Sequence, residues 1–151
     1  MDMIRSARVE DAAQCCEVIR ASIVELCQQD HHGEQARIDD WLQNKTVAHC
    51  EHWIQDAATN TFVADEGGQV VGVSSISHSG HLFLLYLRPG TVGKGVGAQL
   101  LSAAEDSVRA LGVHRFTLES TLTAKGFYER FGYVACGATE HCLKYEKVLS
   151  D

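Results

Sequence analysis

The stretch from His81 to Leu111 constrains this chain more than any other. It opens with HLFLLYLRP, a continuous apolar run that reads as a strand buried on both faces. GTVGKGVGA follows, with four glycines between Gly90 and Gly97. The next run, QLLSAAEDSVRAL, places Leu100, Leu101, Ala104, Val108 and Leu111 on one face at helical spacing. Gly112 stands where a helix C-terminal glycine is expected. Strand, glycine turn and helix in this order present unpaired backbone N–H groups and a positive dipole end to an anion. Lys94 adds a cation to the same turn. A phosphate site is expected between Gly93 and Ala98.

Three motifs compete for that phosphate. A P-loop needs GxxxxGK followed by Ser or Thr. Here Gly95 follows Lys94, and Arg88 stands where the first glycine belongs, so the pattern fails twice. The dinucleotide fingerprint GxGxxG/A is matched by Gly93, Gly95 and Ala98, with Glu119 at the spacing of its ribose-binding acid. That turn follows its strand directly, whereas Arg88 to Val92 intervene here, and only 32 residues follow Glu119.

The third motif is one of resemblance. LYLRPGTVGKGVGAQLL is similar to the acetyl-CoA motif of the GCN5-related N-acetyltransferase (GNAT) superfamily, which runs strand, Pro, Q/R-x-x-G-x-G/A, helix. Downstream, ALGVHRFTLES followed by TAKGFYERFGY resembles that family's later strand and helix, with Ala124, Tyr128, Glu129, Gly132 and Tyr133 on the signature positions. The N-terminal IRSARVEDAAQCCEVI resembles its first strand and helix, so the likeness spans most of the chain. Val92 stands where the family usually has Gln or Arg, and Thr121 where Asn is frequent.

The resemblance implies a mixed α/β fold: a largely antiparallel sheet flanked by helices, with a central parallel strand pair at the cofactor site. It implies one N-acetyltransferase domain over residues 1–151. Acetyl-CoA would be the co-substrate, held by Tyr86, Leu87, Val92, Gly93, Lys94, Gly95, Val96, Gly97, Ala98, Thr121 and Tyr128. A backbone N–H near Tyr86 or Leu87 would face the thioester oxygen, and Tyr128 would hydrogen-bond the leaving sulfur. The acceptor would be a primary amine of a small molecule or peptide. An alkyl ammonium has a pKa near 10.4 and must lose a proton before it attacks. Glu119 is the first candidate for base or water-chain anchor, with Glu25, His78 and His81 as others. Two further classes stay open: a non-catalytic acyl-CoA-binding module, favoured by Val92, and a nucleotide oxidoreductase fragment.

Composition narrows the setting. A formal charge of −7 argues against general nucleic-acid binding and leans toward cationic acceptors. No run of 18 apolar residues occurs, and Met1–Asp2 opens no leader, so a cytoplasmic protein without membrane contact is expected. A homodimer is compatible with the sequence. The six cysteines form no CxxC pair and are expected to be reduced. Neither His49-Cys50-Glu51-His52 nor His78-Ser79-Gly80-His81 has a zinc spacing, so no metal is expected.

Elsewhere, Met3 to Ala7 reads as an edge or near-edge strand, and Val9 to Leu26 as a helix ended by Cys27. QQDHHGEQ reads as a loop. Ile38, Trp41 and Leu42 share a helical face, and a short helix carries Val47, Trp53 and Ile54. Thr61–Asp65 and Gln69–Ile76 flank a hairpin turn at Glu66-Gly67-Gly68. Arg115 to Glu119 is a strand parallel to the central one, Thr123 caps a helix over Ala124–Arg130, and Tyr133–Cys136 with Cys142–Leu149 closes the sheet.

Overall fold

The computed structural model describes residues 3–139 and 142–149; the Met1–Asp2 end lies outside them. The strands are β1 (Met3–Ser6), β2 (Thr59–Glu66), β3 (Gln69–Ser77), β4 (His81–Leu87), β5 (Arg115–Ser120), β6 (Val134–Ala138) and β7 (Leu143–Val148). They form one sheet in the order β1-β2-β3-β4-β5-β7-β6. Every neighbouring pair is antiparallel except β4 with β5. One parallel pair does not make a doubly wound sheet, and the dinucleotide-fold reading ends there.

The helices are α1 (Ala12–Leu26), α2 (Gln28–His31), α3 (Gln35–Leu42), α4 (Val47–Gln55), α5 (Val96–Arg109) and α6 (Lys125–Arg130). They divide between the faces of the sheet. Val18, Ile19 and Ile23 of α1 pack with Val63, Val70, Val73 and Leu84 on one side. Leu101, Ala104 and Val108 of α5 pack with Ile76, Leu82, Phe116 and Leu118 on the other. Arg5 ties β1 to the start of α1 through a 2.8 Å ion pair with Asp11. That hydrogen-bonded guanidinium holds the buried Asp11 carboxyl below the usual carboxylate range. None of the described helices is long and apolar enough to cross a membrane.

The central strand is buried on both faces, as its apolar run predicts, but its alternation breaks once. Ser75 pairs with Leu84 and Ile76 with Leu82, so Phe83 is an extra residue in a β-bulge. The bulge sends Leu82 and Leu85 toward α5, and Leu84 and Tyr86 toward α1. Phe83 itself is left 57% exposed.

Two sequence expectations fail locally. Leu111 is not on the α5 face: the helix stops at Arg109, a tighter turn joins the Leu111 N–H to the Val108 carbonyl at 2.9 Å, and Leu111 ends up exposed. The QQDHHGEQ segment is not all loop, because Gln28–His31 forms one helical turn stopped by His32 in the left-handed region at φ 52°. His31 explains the turn. Its Nδ1 accepts the Gly33 N–H at 2.9 Å, so Nε2 carries the proton and donates to the Ile23 carbonyl at 2.9 Å. A fully buried imidazole with both nitrogens used is a neutral brace between α1 and α2.

Candidate active site

The sheet opens between β4 and β5. Their parallel register covers only His81–Thr117 and Leu82–Leu118. Beyond these pairs β4 stays with β3 as far as Leu87 opposite Gly72, while β5 stays with β7 as far as Ser120 opposite Leu143. Each strand follows its antiparallel neighbour, and a wedge-shaped gap forms at their C-terminal ends.

The register also decides which amides line this gap. The Arg88 N–H donates to the Val71 carbonyl at 2.8 Å. In an antiparallel ladder bonded pairs alternate with unbonded ones. Tyr86 therefore bonds Val73 and Leu84 bonds Ser75, while Leu85 and Leu87 turn their N–H and C=O groups toward the gap. Of the two positions expected to offer an amide there, the ladder consumes Tyr86 and leaves Leu87.

The gap is walled by Ser22 and Cys27 from the α1 end, Leu84 to Tyr86, Glu119, Thr121, Ala124 and Tyr128. Tyr128 is only 6% exposed. Burial pushes its phenol well above the ordinary value, with the neighbouring Tyr86 phenol adding to the shift. No described residue hydrogen-bonds its hydroxyl. The Tyr128 ring is held edge-on by Phe127 at 5.2 Å and by Tyr133 at 5.8 Å between centroids. Tyr133, on the same signature, is used differently. Its hydroxyl donates to Glu105 at 2.7 Å, and Lys147 pairs with that carboxylate at 3.2 Å.

The gap continues into a wider cleft of about 680 Å³ lined by Asp30, Arg37, Asp40, Trp41, Tyr86, Glu119, Thr121 and Cys142. Glu119 is exposed and accepts the Cys142 S–H at 3.2 Å. Burial raises the Cys142 thiol, and the adjoining Glu119 carboxylate adds to the rise. Tyr86 is also raised by burial, with the Trp41 indole N–H offsetting part of the shift. The other base candidates are elsewhere. His81 bonds Thr117 at 2.8 Å at the opposite end of β4, His78 bonds Asn60 at 3.0 Å, and Glu25 lies on the exposed side of α1 outside both linings.

The glycine turn sits beside the gap. Gly93 and Gly95 have φ of 87° and 82°, a conformation that disfavours any side chain. Nothing in the protein lies within 4 Å of where a Cβ would stand at either, so the turn faces open space. Gly97 is different. A Cβ there would meet the Phe127 ring at 3.3 Å and Leu87 at 3.5 Å, so this glycine permits close packing of α5 on α6 and β4. The first helical bond of α5 runs from the Gln99 N–H to the Gly95 carbonyl at 3.2 Å. The N–H groups of Val96, Gly97 and Ala98 precede it and have no helical acceptor. Lys94 and Val92 are exposed, Val92 by 55%.

Thr121 and Asp30 complete the surroundings. The Thr121 hydroxyl accepts the Ala124 N–H at 3.1 Å, the work expected of Thr123. Thr123 does not cap the helix; its hydroxyl donates to Asp30 at 2.7 Å. Asp30 also accepts the Leu122 N–H at 2.7 Å. Sequence reasoning misses this aspartate, whose partners lie 92 and 93 positions away. Among the described residues no group of three or more His, Cys, Asp or Glu is arranged to hold a metal ion.

Residues 27–142 match the family described as Acetyltransferase (GNAT) domain. A search of curated proteins returns no match. Among solved structures, the PaiA N-acetyltransferase of Thermoplasma acidophilum, in complex with coenzyme A, superposes with a TM-score of 0.87 at 20% identity over 99% of each chain. A GCN5-related N-acetyltransferase of Rhodopseudomonas palustris gives 0.88 at 25% identity over 99% of this chain and 96% of that one. A GNAT-family acetyltransferase of Staphylococcus aureus Mu50 gives 0.76 at 12% identity, over 99% of this chain and all of the other. The likenesses at 20% and 12% are likenesses of fold. The family match is one of sequence and spans most of the chain, which therefore belongs to the GNAT acetyltransferase family.

Proposed function

We propose that this protein is an acetyl-CoA-dependent N-acetyltransferase whose single domain, residues 1–151, moves an acetyl group directly to a primary amine of a small molecule or peptide. One observation carries the reading: β4 and β5 part into a gap walled by Leu85, Tyr86 and the buried Tyr128 ring, and the β3 ladder leaves the Leu87 N–H turned toward that side. The coenzyme A bound by the Thermoplasma protein of the same fold supports it. An unpartnered phenol at the gap favours catalysis over binding alone.

The residues fit the ligand. Val96, Gly97 and Ala98 offer N–H groups at a helix N-terminus, and open space lies before Gly93 and Gly95. Such an end suits a pyrophosphate, and Lys94 adds a positive charge. Bound acetyl-CoA supplies an acetyl thioester.

The chain's own groups then divide the work. The N–H of Leu87 is fixed in place before reaction and donates to the carbonyl oxygen as negative charge develops on it. Tyr128 hydrogen-bonds the departing sulfur, and burial keeps its proton in place across the physiological range. Glu119 stands at the junction of the gap and the wider cleft, where it accepts the amine proton directly or through water. Trp41, Tyr86, Asp40 and Glu119 give the acceptor side aromatic and acidic walls that suit an amine.

Thermal denaturation with acetyl-CoA and with NAD tests the ligand. Acetyl-CoA should raise Tm in a concentration-dependent way and NAD should not. Stabilisation by NAD alone would contradict the proposal.

A further inference from the structure

Asp30 joins the two walls of the gap. It stands on α2, and its carboxylate takes three bonds from the connection between β5 and α6. One oxygen accepts the Leu122 N–H at 2.7 Å; the other accepts the Thr123 hydroxyl at 2.7 Å and the Thr123 N–H at 3.3 Å. Both ends of this link are informative. On the α2 side, the buried His31 next to Asp30 is locked between the Gly33 N–H and the Ile23 carbonyl, so Asp30 projects from a braced turn. On the other side, α6 has six residues, too short to hold itself without outside support. Its N-cap, Ala124, has no side chain to cap it. Thr121 and Asp30 fix the entry instead. Tyr128 follows one turn later, its N–H on the Ala124 carbonyl at 3.3 Å.

We infer that Asp30 is a positioning residue for Tyr128: by clamping Leu122 and Thr123 to α2 it sets where α6 begins, and so where the Tyr128 hydroxyl stands in the gap. It acts through the loop and not by touching the reacting atoms. The same clamp ties the acceptor wall, which carries Trp41, to the wall that carries the phenol. The geometric part stands on the bonds above; its catalytic consequence rests on the proposed role of Tyr128.

The phenol itself reports on the clamp. The chain has four tyrosines. With ring-labelled tyrosine, Tyr128→Phe assigns the Tyr128 NMR signal, whose titration can then be followed. Tyr86 and Tyr133 are its titratable neighbours and stay in every variant. In Asp30→Ala the loop loses all three bonds, the packing around the Tyr128 ring loosens, and the Tyr128 titration moves down toward the ordinary phenol value. Tyr133, held by Glu105, keeps its own. Asp30→Asn retains the shape and one acceptor oxygen and restores part of the shift. If Asp30→Ala fails to fold, Thr123→Val removes one bond of the three and gives a smaller move in the same direction. A folded Asp30→Ala or Thr123→Val with Tyr128 titrating as in wild type overturns the inference.

Turnover supplies the second arm, read as thiol release from acetyl-CoA with whichever probe amine is fastest. Asp30→Ala should lower kcat about tenfold in the wild-type background and have little further effect on Tyr128→Phe, because residues acting as a unit are not additive. Equal losses in both backgrounds contradict action through Tyr128. If Tyr128→Phe alone leaves turnover unchanged, the catalytic role of Tyr128 fails, and the NMR titration still decides whether Asp30 positions the ring.

Discussion

The amide of Arg88 donates to the carbonyl of Val71 at 2.8 Å, and that bond sets the phase of the β3–β4 ladder from Leu84 onward. It turns the N–H groups of Leu85 and Leu87, and not that of Tyr86, toward the open side of the sheet, with Leu87 nearest the strand's end. Replacing the Leu87 amide with an ester removes this donor and keeps every ladder N–H, weakening only the Tyr86 carbonyl that accepts from Val73. The expected result is a fall in kcat of about a hundredfold, the usual cost of one oxyanion donor. An ester at Tyr86 should instead cost about 0.5–1.5 kcal/mol of stability, the worth of one ladder bond. Rate and melting measurements on the two esters check the assignment, and a reversed pattern would place the donor at Tyr86.

Gly95→Asp and Gly97→Asp should behave differently. At Gly95 the space ahead is open and φ is positive, so the cost of a side chain is backbone strain of roughly 1–2 kcal/mol. The protein should stay folded while the carboxylate repels pyrophosphate and abolishes acetyl-CoA binding. At Gly97 the new side chain meets Phe127 and Leu87, so Tm should fall as well. Calorimetric titration beside thermal melts separates the two effects. Unchanged affinity in folded Gly95→Asp would move the phosphate site elsewhere.

Val92→Gln adds a polar arm at an exposed position on the glycine turn. It should tighten acetyl-CoA by about 0.5–1.5 kcal/mol, the worth of one hydrogen bond. A measured loss of affinity would show that this turn holds its ligand along another path.

Tyr128→Phe keeps the ring and its edge contacts, so cofactor affinity and stability should change little. The loss should fall equally on kcat and kcat/KM, because the bond to sulfur forms mainly in the transition state. We expect roughly 10- to 100-fold, at the low end of general-acid effects. The sign of the pH dependence follows from burial. Burial raises the phenol, so wild type keeps its proton beyond the ordinary phenol value of about 10, and the ratio of wild type to variant stays flat through that pH. A ratio that collapses at about that value would mean the phenol is solvated.

Much of this architecture is legible in the sequence because its signals are local. The glycine turn, the amphipathic helix behind it and the Gly67–Gly68 hairpin each depend on neighbouring residues. The parallel pairing of β4 and β5 follows from a crossover rule. What escapes depends on residues far apart. HLFLLYL is apolar throughout, so no period marks Phe83 as the bulge. The gap exists because β4 keeps to β3 while β5 keeps to β7, a competition between pairings that no segment records. Asp30 reads as one polar residue in a polar stretch, and its partners lie across the fold. Leu111 fits the helical period and is lost because the helix ends two residues earlier.

Direct acetyl transfer to an amine is open to a single assay. Acetyl-CoA is incubated with the protein and a panel holding a polyamine, an aminoglycoside and a peptide with a free amine, and thiol release is followed beside the mass of each amine and of the protein. At least one amine should gain an acetyl group for each thiol released, while the protein's own mass stays unchanged. Acetyl-CoA that binds the turn while every amine remains unmodified, or an acetyl group that appears first on a side chain of the protein, would contradict it.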